Sequence, residues 1–179
     1  MYELFVLGQL MDQPMSGYLM RHILQQMVGR QRQISFGMIY PLFDRLAKAG
    51  HITLREVVQP GKRAKKVATI TQPGRQRFYD LMAEPVVVNP NTEFTFSVKF
   101  RNFHQVDREL RVTILRAYQA YLTANQTYID QRAAQLPTTN ITASDLHDAL
   151  RVMALDRAKT LAALAWTHQT LEEELHDNI

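Results

Sequence analysis

Two short stretches of this 179-residue chain carry side chains suited to contacting a polyanion. The first runs from Ser35 to Arg45 and brings a hydroxyl, aromatic rings and a guanidinium close together. The second is the basic run from Lys62 to Lys66, and Arg30 and Arg32 add charge upstream. Lysine and arginine neutralise phosphates, while polar and aromatic groups on an exposed helix face reach base edges in the major groove. These residue types predict contact with nucleic acid.

The first stretch is predicted to form a short helix. Ser35 is placed to cap its start through the side-chain hydroxyl, and Gly50 is the expected stop at its end. Pro41 removes one backbone donor in an early turn and is expected to bend it. Three- and four-residue spacing gives an apolar face of Ile39, Leu42, Phe43 and Leu46. The opposite face presents Met38, Tyr40, Arg45 and Lys48.

The flanking segments predict a winged helix-turn-helix around that helix. An apolar helix spans Tyr2 to Met11, and Ser16-Gly17-Tyr18 opens a second helix that ends at Gly29. The apolar stripe of the second helix is predicted to contain Leu19, Ile23, Leu24 and Met27. Downstream, residues 52–58 and 65–70 are predicted strands, and a basic turn with Gly61 joins them.

Several short motifs in this region resemble the PadR family of bacterial transcriptional regulators. They are Ser16-Gly17-Tyr18, Ser35-x-Gly37-x-x-Tyr40-Pro41-Leu42-x-x-Arg45-Leu46, Gly50-His51-Ile52, Gly61-Lys62-Arg63-Ala64-Lys65-Lys66 and Ile70-Thr71-x-x-Gly74-Arg75. Family members usually have His-Gly-Tyr at the first motif and an aromatic pair where this chain has Val67-Ala68. The resemblance implies a dimeric repressor with a helical C-terminal domain. In the subfamily with a long C-terminal domain, it also implies release from DNA by a small aromatic ligand such as a phenolic acid.

Composition and charge agree with DNA binding and argue against several other classes of protein. The chain carries 12 basic and 5 acidic residues through Asp80, against 9 and 12 after it. It contains no cysteine, no Gly-rich phosphate loop and no nucleophile elbow, so an enzyme is not predicted. Its six histidines lack metal-ligand spacing, and neither a metal nor a cofactor is expected. No apolar run is long enough to span a membrane and no secretion signal is evident, which predicts a cytoplasmic protein.

The predicted DNA-binding residues divide into a groove-facing set and a backbone-facing set. The groove-facing set is Tyr18, Ser35, Phe36, Gly37, Met38, Tyr40 and Arg45. Lys62, Arg63, Lys65 and Lys66 form the backbone-facing set along the wing. Tyr18 and Tyr40 also fit core positions, and Phe36 fits either a thymine methyl contact or packing beneath the helix. Gly37 is explained by close approach of the backbone to phosphate.

The remaining half is predicted to be a helical dimerisation domain. We place the boundary after residue 84, giving domains 1–84 and 85–179. Residues 93–103 alternate like a strand, but their helical neighbours favour a short helix. A helix over 106–136 follows, with the apolar set Val106, Leu110, Ile114, Ala117, Tyr121, Ala124 and Tyr128. After a loop, Thr142 is expected to cap a last helix that runs to about His176.

Two apolar stripes on the last helix indicate a homodimer. We assign dimerisation to the first stripe, which contains Leu146, Leu150, Met153, Leu164, Leu171 and Leu175. The second stripe contains Leu155, Ala158, Ala162 and Trp166. Two such faces need two surfaces to cover them, and a two-fold dimer provides the second one more readily than a larger bundle within one chain. A dimer also reads two half-sites of a palindromic operator in double-stranded DNA.

An effector site is the least defined prediction. Aromatic residues that could line it are Phe94, Phe96, Tyr118, Tyr121 and Trp166, and His147 and His168 could contact a carboxylate or phenol. The alternative is that these aromatics are core and these histidines are surface residues. Two other functions stay open: a multidrug-responsive repressor of an efflux pump that binds a planar cation, and a winged-helix module that binds protein or RNA.

Overall fold

The computed structural model describes residues 1–29, 35–57 and 65–176, and of Phe36 the backbone alone. The chain divides into two compact units, Met1–Asp107 and Arg108–Ile179. Residues 85–107 therefore lie in the same unit as the predicted DNA-binding domain. The functional boundary after residue 84 stays a prediction.

The first unit is a winged helix-turn-helix followed by one further helix. Its elements are α1 (Tyr2–Asp12), β1 (Met15–Ser16), α2 (Gly17–Val28), α3 (Phe36–Lys48), β2 (Ile52–Val57), β3 (Lys65–Ile70), α4 (Gln72–Ala83) and α5 (Thr92–Arg101). The predicted mainly helical class and the helical choice for residues 93–103 are confirmed. A single 3-10 turn, Phe103–Gln105, follows α5.

The wing contains one strand more than the sequence predicts. In the described part of the chain, an antiparallel sheet has the order β1-β3-β2. Ile52 pairs with Ile70 and Val57 with Lys65, as expected for the wing hairpin. The unpredicted β1 pairs Met15 with Ala68 and is two residues long. Such a short strand has no pattern of its own, because the pairing with β3 alone defines it.

Helix α1 is the centre of the first core. Every residue from Leu4 to Met11 is buried, since α1 packs against α4, β3 and α5. In α2 the predicted stripe is confirmed at Leu24, which is buried, and Ile23 and Met27 are half-buried, but Leu19 is exposed and Met20 is buried in its place. The structure turns α2 so that Met20 meets the core, and Leu19 is left to solvent.

The second unit contains the two predicted long helices. They are α6 (Arg108–Gln135) and α7 (Ala143–His176), joined through the 3-10 turn Leu136–Thr138. The Thr142 hydroxyl accepts the Asp145 N–H at 3.3 Å, which confirms the predicted cap. The two helices pack against each other along their length, and the Arg111–Glu174 and Arg157–Asp130 pairs, each at 2.8 Å, join them.

The predicted apolar stripe of α6 is only partly correct. The buried residues are Ile114, Leu115, Tyr118 and Leu122. Ala117, Ala124 and Tyr128 are exposed, and Val106 precedes the helix. The buried row of α6 faces α7 and includes Leu115 and Leu122, one heptad apart. The sequence of α6 alone does not specify which of its rows faces another helix.

One charged side chain lies inside the first unit. Lys99 of α5 is 4% exposed, and its ammonium donates to the backbone carbonyls of Met82, at 2.8 Å, and Glu84. It therefore supplies donors to carbonyls at the C-terminal end of α4, where a cation is favourable. Burial lowers the pKa of Lys99 to about 8, and the Glu84 carboxylate opposes this shift.

The lowered pKa of Lys99 predicts a pH-dependent gain of stability. Between pH 8 and about 10.5 the folded protein has released this proton while the unfolded chain still binds it. Raising the pH through this window therefore stabilises the folded state, and lowering it through pH 8 removes the gain. We expect wild type to gain about 3 kcal/mol over Lys99→Met between pH 7 and 10.5. Urea unfolding of both proteins across this range checks it, and parallel pH curves would contradict it.

Candidate nucleic-acid interface

Helix α3 is held by its buried face and by a defined C-terminal end. The four predicted core residues of α3 are between 0 and 4% exposed, which confirms the apolar face. Gly50 has φ +74° and donates its N–H to Ala47 O at 3.0 Å, while His51 donates to Leu46 O at 2.9 Å. These two bonds form a Schellman motif, and only glycine adopts this φ without strain. The predicted stop is thus confirmed, and the chain passes directly from α3 into β2.

The start of α3 differs from the prediction. Ser35 occupies the N-cap position with an extended backbone, but among the described residues its hydroxyl accepts no capping hydrogen bond. Its carbonyl accepts the Met38 N–H at 3.2 Å instead. The Ser35 side chain is exposed, so its hydroxyl lies where an external acceptor or donor can reach it.

Tyr40 lies on the solvent side of α3 and packs over α2. Its side chain is 38% exposed, and a Cβ added to Gly17 would lie 2.9 Å from the Tyr40 ring. The absence of a side chain at Gly17 thus allows the Tyr40 ring to pack against the start of α2. Tyr18, the next residue, is 61% exposed. Neither tyrosine is a core residue, which leaves both available to the predicted interface.

Gly37 is a glycine that this fold does not require. Among the described residues, a Cβ at this position would meet the Ser35 Oγ alone, at 3.6 Å, which is an ordinary contact distance. The residue is helical and exposed. Since glycine destabilises a helix relative to alanine, a position that has room for a side chain gains nothing from glycine within the chain itself.

The other predicted DNA-binding residues lie on α3 and the wing. Arg45 is exposed in the last turn of α3 and Met38 is half-buried. Lys65 and Lys66 are exposed at the start of β3, where Lys66 lies opposite Glu56 in the strand register. The remaining predicted contributors lie outside the described residues: Arg30, Arg32, Lys62, Arg63 and the side chain of Phe36.

Charged residues connect the end of α3 to α1 and α4. Arg77 donates to Glu3 Oε1 at 3.0 Å and to Glu84 Oε1 at 2.9 Å. These contacts raise the pKa of Arg77. His51 Nδ1 lies 4.0 Å from the same Glu3 oxygen, and the His51 carbonyl accepts the Thr71 N–H at 3.0 Å. The position of α3 is therefore coupled to α1 and α4 by polar contacts as well as by its apolar face.

The start of α4 is fitted closely to the same junction. The Thr71 hydroxyl accepts the Gly74 N–H at 3.1 Å and donates to Gly50 O at 2.6 Å. A Cβ on Gly74 would lie 1.9 Å from the His51 carbonyl oxygen. Unlike Gly37, Gly74 is therefore required by the fold.

The predicted effector residues belong to both units. Phe94 and Phe96 lie on α5, with Phe94 tilted against the Tyr2 ring at 5.8 Å and Phe96 stacked on Phe100 at 6.0 Å. On α6, the Tyr118 and Tyr121 rings stack at 6.2 Å. Phe96 and Tyr118 are therefore buried core side chains, whereas Phe94 and Tyr121 are half-buried.

The remaining effector candidates lie far apart on α7. Trp166, His147 and His168 are all exposed. His147 and His168 are separated by 21 positions on one continuous helix, or about 30 Å. A single copy of the chain therefore does not bring these two histidines to one small ligand.

The two stripes of α7 differ in how the chain covers them. In the predicted dimerisation stripe, Leu164 and Leu171 are buried, three residues are half-buried and Leu175 is exposed. The half-buried residues are Leu146, Leu150 and Met153. The opposite stripe is open: Leu155 is 57% and Trp166 45% exposed, and Ala158 and Ala162 between them are exposed too.

Lys99 is a residue that the sequence analysis missed. It interrupts the run Phe94, Phe96, Val98 and Phe100 on α5, and a lone cation in such an aromatic segment is a usable signal of a buried polar role.

Across residues 1–29, 35–57 and 65–176, no helix combines the length and apolar character that crossing a bilayer requires. The same residues contain no group of three or more metal-ligating side chains arranged around a common point.

Comparison with known proteins gives one family match and several relatives. Residues 6–80 match the model of the Transcriptional regulator PadR-like family. The negative transcriptional regulator PadR of Bacillus subtilis (strain 168) is 26% identical over 171 residues, which is 93% of each chain. Bacillus subtilis PadR in complex with operator DNA is 19% identical with a TM-score of 0.47, covering 97% of this chain and 98% of that one. Its complex with p-coumaric acid gives 18% and 0.41, covering 98% and 96%.

Proposed function

Because the chain belongs to the PadR-like family of transcriptional regulators, we propose that it is a repressor that binds a palindromic operator as a homodimer. A small aromatic ligand, such as a phenolic acid, releases it from DNA. Members of the family regulate transcription, so the chain is a regulator rather than an enzyme. The proposed partners are operator DNA, a second copy of the chain and the effector, in the cytoplasm.

The exposed face of α3 is the observation that carries the DNA-binding proposal. A helix buried on one side presents Ser35, Gly37, Tyr40 and Arg45 to solvent on the other. This is the arrangement that lets a recognition helix enter the major groove, with its N-terminal residues nearest the bases. Tyr18 on α2 and Met38 complete the groove-facing set, together with Phe36. Lys62, Arg63, Lys65 and Lys66 contact the backbone, where charge sets affinity rather than sequence preference.

The open stripe of α7 supports a homodimer. Leu164 and Leu171 of the first stripe are already covered within the chain, so we place the partner on the opposite face, which carries Leu155 and Trp166. An identical copy covers this face with the same face of its own α7, as a two-fold interface requires. The dimer holds two α3 helices at the separation of two half-sites.

The effector part of the proposal rests on the family and on the named ligand of one relative. The Bacillus subtilis protein has been solved with p-coumaric acid. We propose that this chain binds a compound of the same kind as its effector. To abolish repression, such a ligand must bind the released state better than the DNA-bound state by about 5 kcal/mol.

Substitutions in the wing and in α3 should separate affinity from sequence preference. Replacing Lys65 and Lys66 with alanine is expected to weaken every duplex equally and to reduce the salt slope of binding by about 2, because two phosphate contacts are lost. Met38→Ala is expected to change the preferred base at one position of each half-site by about 1 kcal/mol. Titrations of a duplex panel at several salt concentrations measure both effects. The assignment is wrong if the lysine pair changes preference and Met38 does not.

Selection of operators from random duplexes tests the whole proposal. The full chain is expected to select a palindrome whose half-sites are one or more helical turns apart, and added p-coumarate is expected to reduce recovery of that palindrome. Weak duplex binding without sequence preference at physiological salt would instead favour the protein- or RNA-binding module. Release by planar cations and not by phenolic acids would favour the multidrug-responsive repressor.

A further inference from the structure

The second unit has an apolar groove on its surface, between α6 and α7 and near the loop that joins them. Its volume is about 380 Å³. The residues that line it are Tyr128, Ile129 and Arg132 of α6, and Ala149, Val152, Met153 and Asp156 of α7. Tyr128 and Val152 are 66% and 60% exposed, so large apolar side chains at this α6–α7 groove face solvent in the single chain. Exposed apolar surface of this kind marks an interaction site.

Trp166 is a projecting apolar group on the same side of α7. It is the one tryptophan of the chain, and its side chain is 45% exposed. Trp166 lies 14 positions after Val152 on one continuous helix, about 21 Å away and within about 40° of the same direction. The chain therefore presents a groove and a large ring along one face, too far apart to meet within a single copy.

A two-fold axis perpendicular to α7 would bring the groove and the ring together twice. If two α7 helices run antiparallel with Trp166 opposite the partner's Val152, the axis passes beside Lys159, midway between these positions. Ala158 and Ala162 then flank the axis, and their small side chains allow the two helices to approach closely. A parallel pair would instead place Trp166 against the partner's Trp166 and leave both grooves open.

The charges beside this axis also suit the antiparallel pair. Within one chain, Lys159 Nζ lies 3.3 Å from Asp156 Oδ1, and both side chains are exposed. In the antiparallel pair, Asp156 of each copy lies within one turn of Lys159 of the other. Opposite charges therefore meet across the interface, and each carboxylate offsets the repulsion between the two ammonium groups near the axis.

We propose that Trp166 of each copy occupies the α6–α7 groove of the other copy. This inference rests on the proposed homodimer and extends its interface from α7 to α6. The groove has room for a bicyclic ring, since a cavity of about 150 Å³ is enough for benzene. Tyr128 supplies an aromatic face at the groove, and buried tryptophan and tyrosine side chains are typical anchors of an interface.

The fluorescence of the wild-type protein tests the burial of Trp166 directly, because no other tryptophan contributes. Analytical ultracentrifugation over a dilution series identifies the concentrations at which the dimer dissociates. Over the same range we expect the emission to move to longer wavelength and acrylamide quenching to increase about twofold, because the indole returns to water. Emission that stays constant while the dimer dissociates would overturn the proposal.

Substitutions of Tyr128 and Trp166 test whether the partner of the indole is the groove. We expect Tyr128→Ala to weaken the dimer about tenfold and Trp166→Ala about 30-fold or more, as for interface anchors. The double variant is expected to be little weaker than Trp166→Ala, because the two rings contact each other. Within one copy Trp166 lies ten positions, about 15 Å, beyond Asp156, the nearest α7 residue of the groove, so this coupling has to come from the partner.

Tyr79→Ala is the matched control, since Tyr79 is an exposed tyrosine of α4 and should leave the dimer unchanged. Tyr128 and Trp166 are exposed in the single chain, so we expect both variants to fold. Additive losses in the double variant, or native dimer affinity in Trp166→Ala, would overturn the groove contact while the homodimer stands. A wild-type protein that stays monomeric would refute the homodimer and this inference together.

Discussion

Leu155→Asp in α7 is expected to convert the dimer to a monomer and to lower operator affinity at least 100-fold. Leu155 is 57% exposed in the single chain, so an aspartate there is solvated and the fold is kept. In the proposed dimer, both copies would bury this carboxylate against an apolar face, at a cost of several kcal/mol. In the dimer, binding of the first DNA-binding unit holds the second unit at a high effective concentration near its half-site. A monomer lacks this gain, because each unit must then bind its half-site independently. Analytical ultracentrifugation and operator titration measure the two effects.

Ala154→Asp is the matched control. Ala154 is exposed on the same helix but lies to the side of the stripe that carries Leu155, so the same charge should leave the dimer and the affinity unchanged. A Leu155→Asp protein that stays dimeric with native affinity would show that the partner covers another face of α7. The first stripe, with its exposed Leu175, would then be the next surface to test.

Gly37→Ala is expected to weaken operator binding about tenfold while leaving the protein as stable as wild type or more stable. Within residues 1–29, 35–57 and 65–176, the Ser35 Oγ alone lies near the new methyl group, at 3.6 Å, so we expect the fold to accept it. Alanine also restricts the unfolded chain, which favours folding by roughly 0.4–1 kcal/mol. The loss of affinity, about 1.4 kcal/mol, comes from a methyl group between the start of α3 and the DNA. Thermal unfolding and operator titration of one preparation give both values.

Gly74→Ala makes the same chemical change at a position where the fold leaves no room. Its methyl group would lie against the His51 carbonyl, and we expect about 1–3 kcal/mol of destabilisation. Relative to wild type, Gly37→Ala should thus keep or raise stability, whereas Gly74→Ala should lower it. A Gly37→Ala protein with undiminished affinity would mean that the start of α3 stays away from the DNA backbone.

The features predicted well are those that a few neighbouring residues determine. The end of α3 follows from Gly50 and the bonds that it and His51 make to the last turn, all within six positions. The caps at Ser16 and Thr142 are likewise local, with hydroxyls that accept N–H groups three residues on. At Ser35 the same signal failed, because the Ser35 carbonyl, rather than its hydroxyl, accepts the Met38 N–H at the start of α3. The hydroxyl is left facing outward.

The features missed depend on distant parts of the chain. Strand β1 exists through its pairing with β3, some fifty residues away. The inward row of α6 is set by α7, and the burial of Lys99 is set by carbonyls of α4. Sequence reasoning also grouped His147 with His168, whereas an uninterrupted α7 keeps them about 30 Å apart. Patterns along one element show what it can bury, but not which neighbour buries it.

His51 joins three elements through its main chain. Its N–H closes α3, its carbonyl accepts the Thr71 N–H that precedes α4, and the next residue begins β2. Because these contacts meet at one residue, α3 cannot tilt without disturbing the start of β2 and the hydrogen bond to Thr71 before α4. Descendants of this protein can acquire new base preferences by exchanging outward side chains of α3, one at a time. A change in the distance between half-sites requires mutations outside α3. Changes in base preference and changes in half-site spacing should therefore map to different parts of the gene.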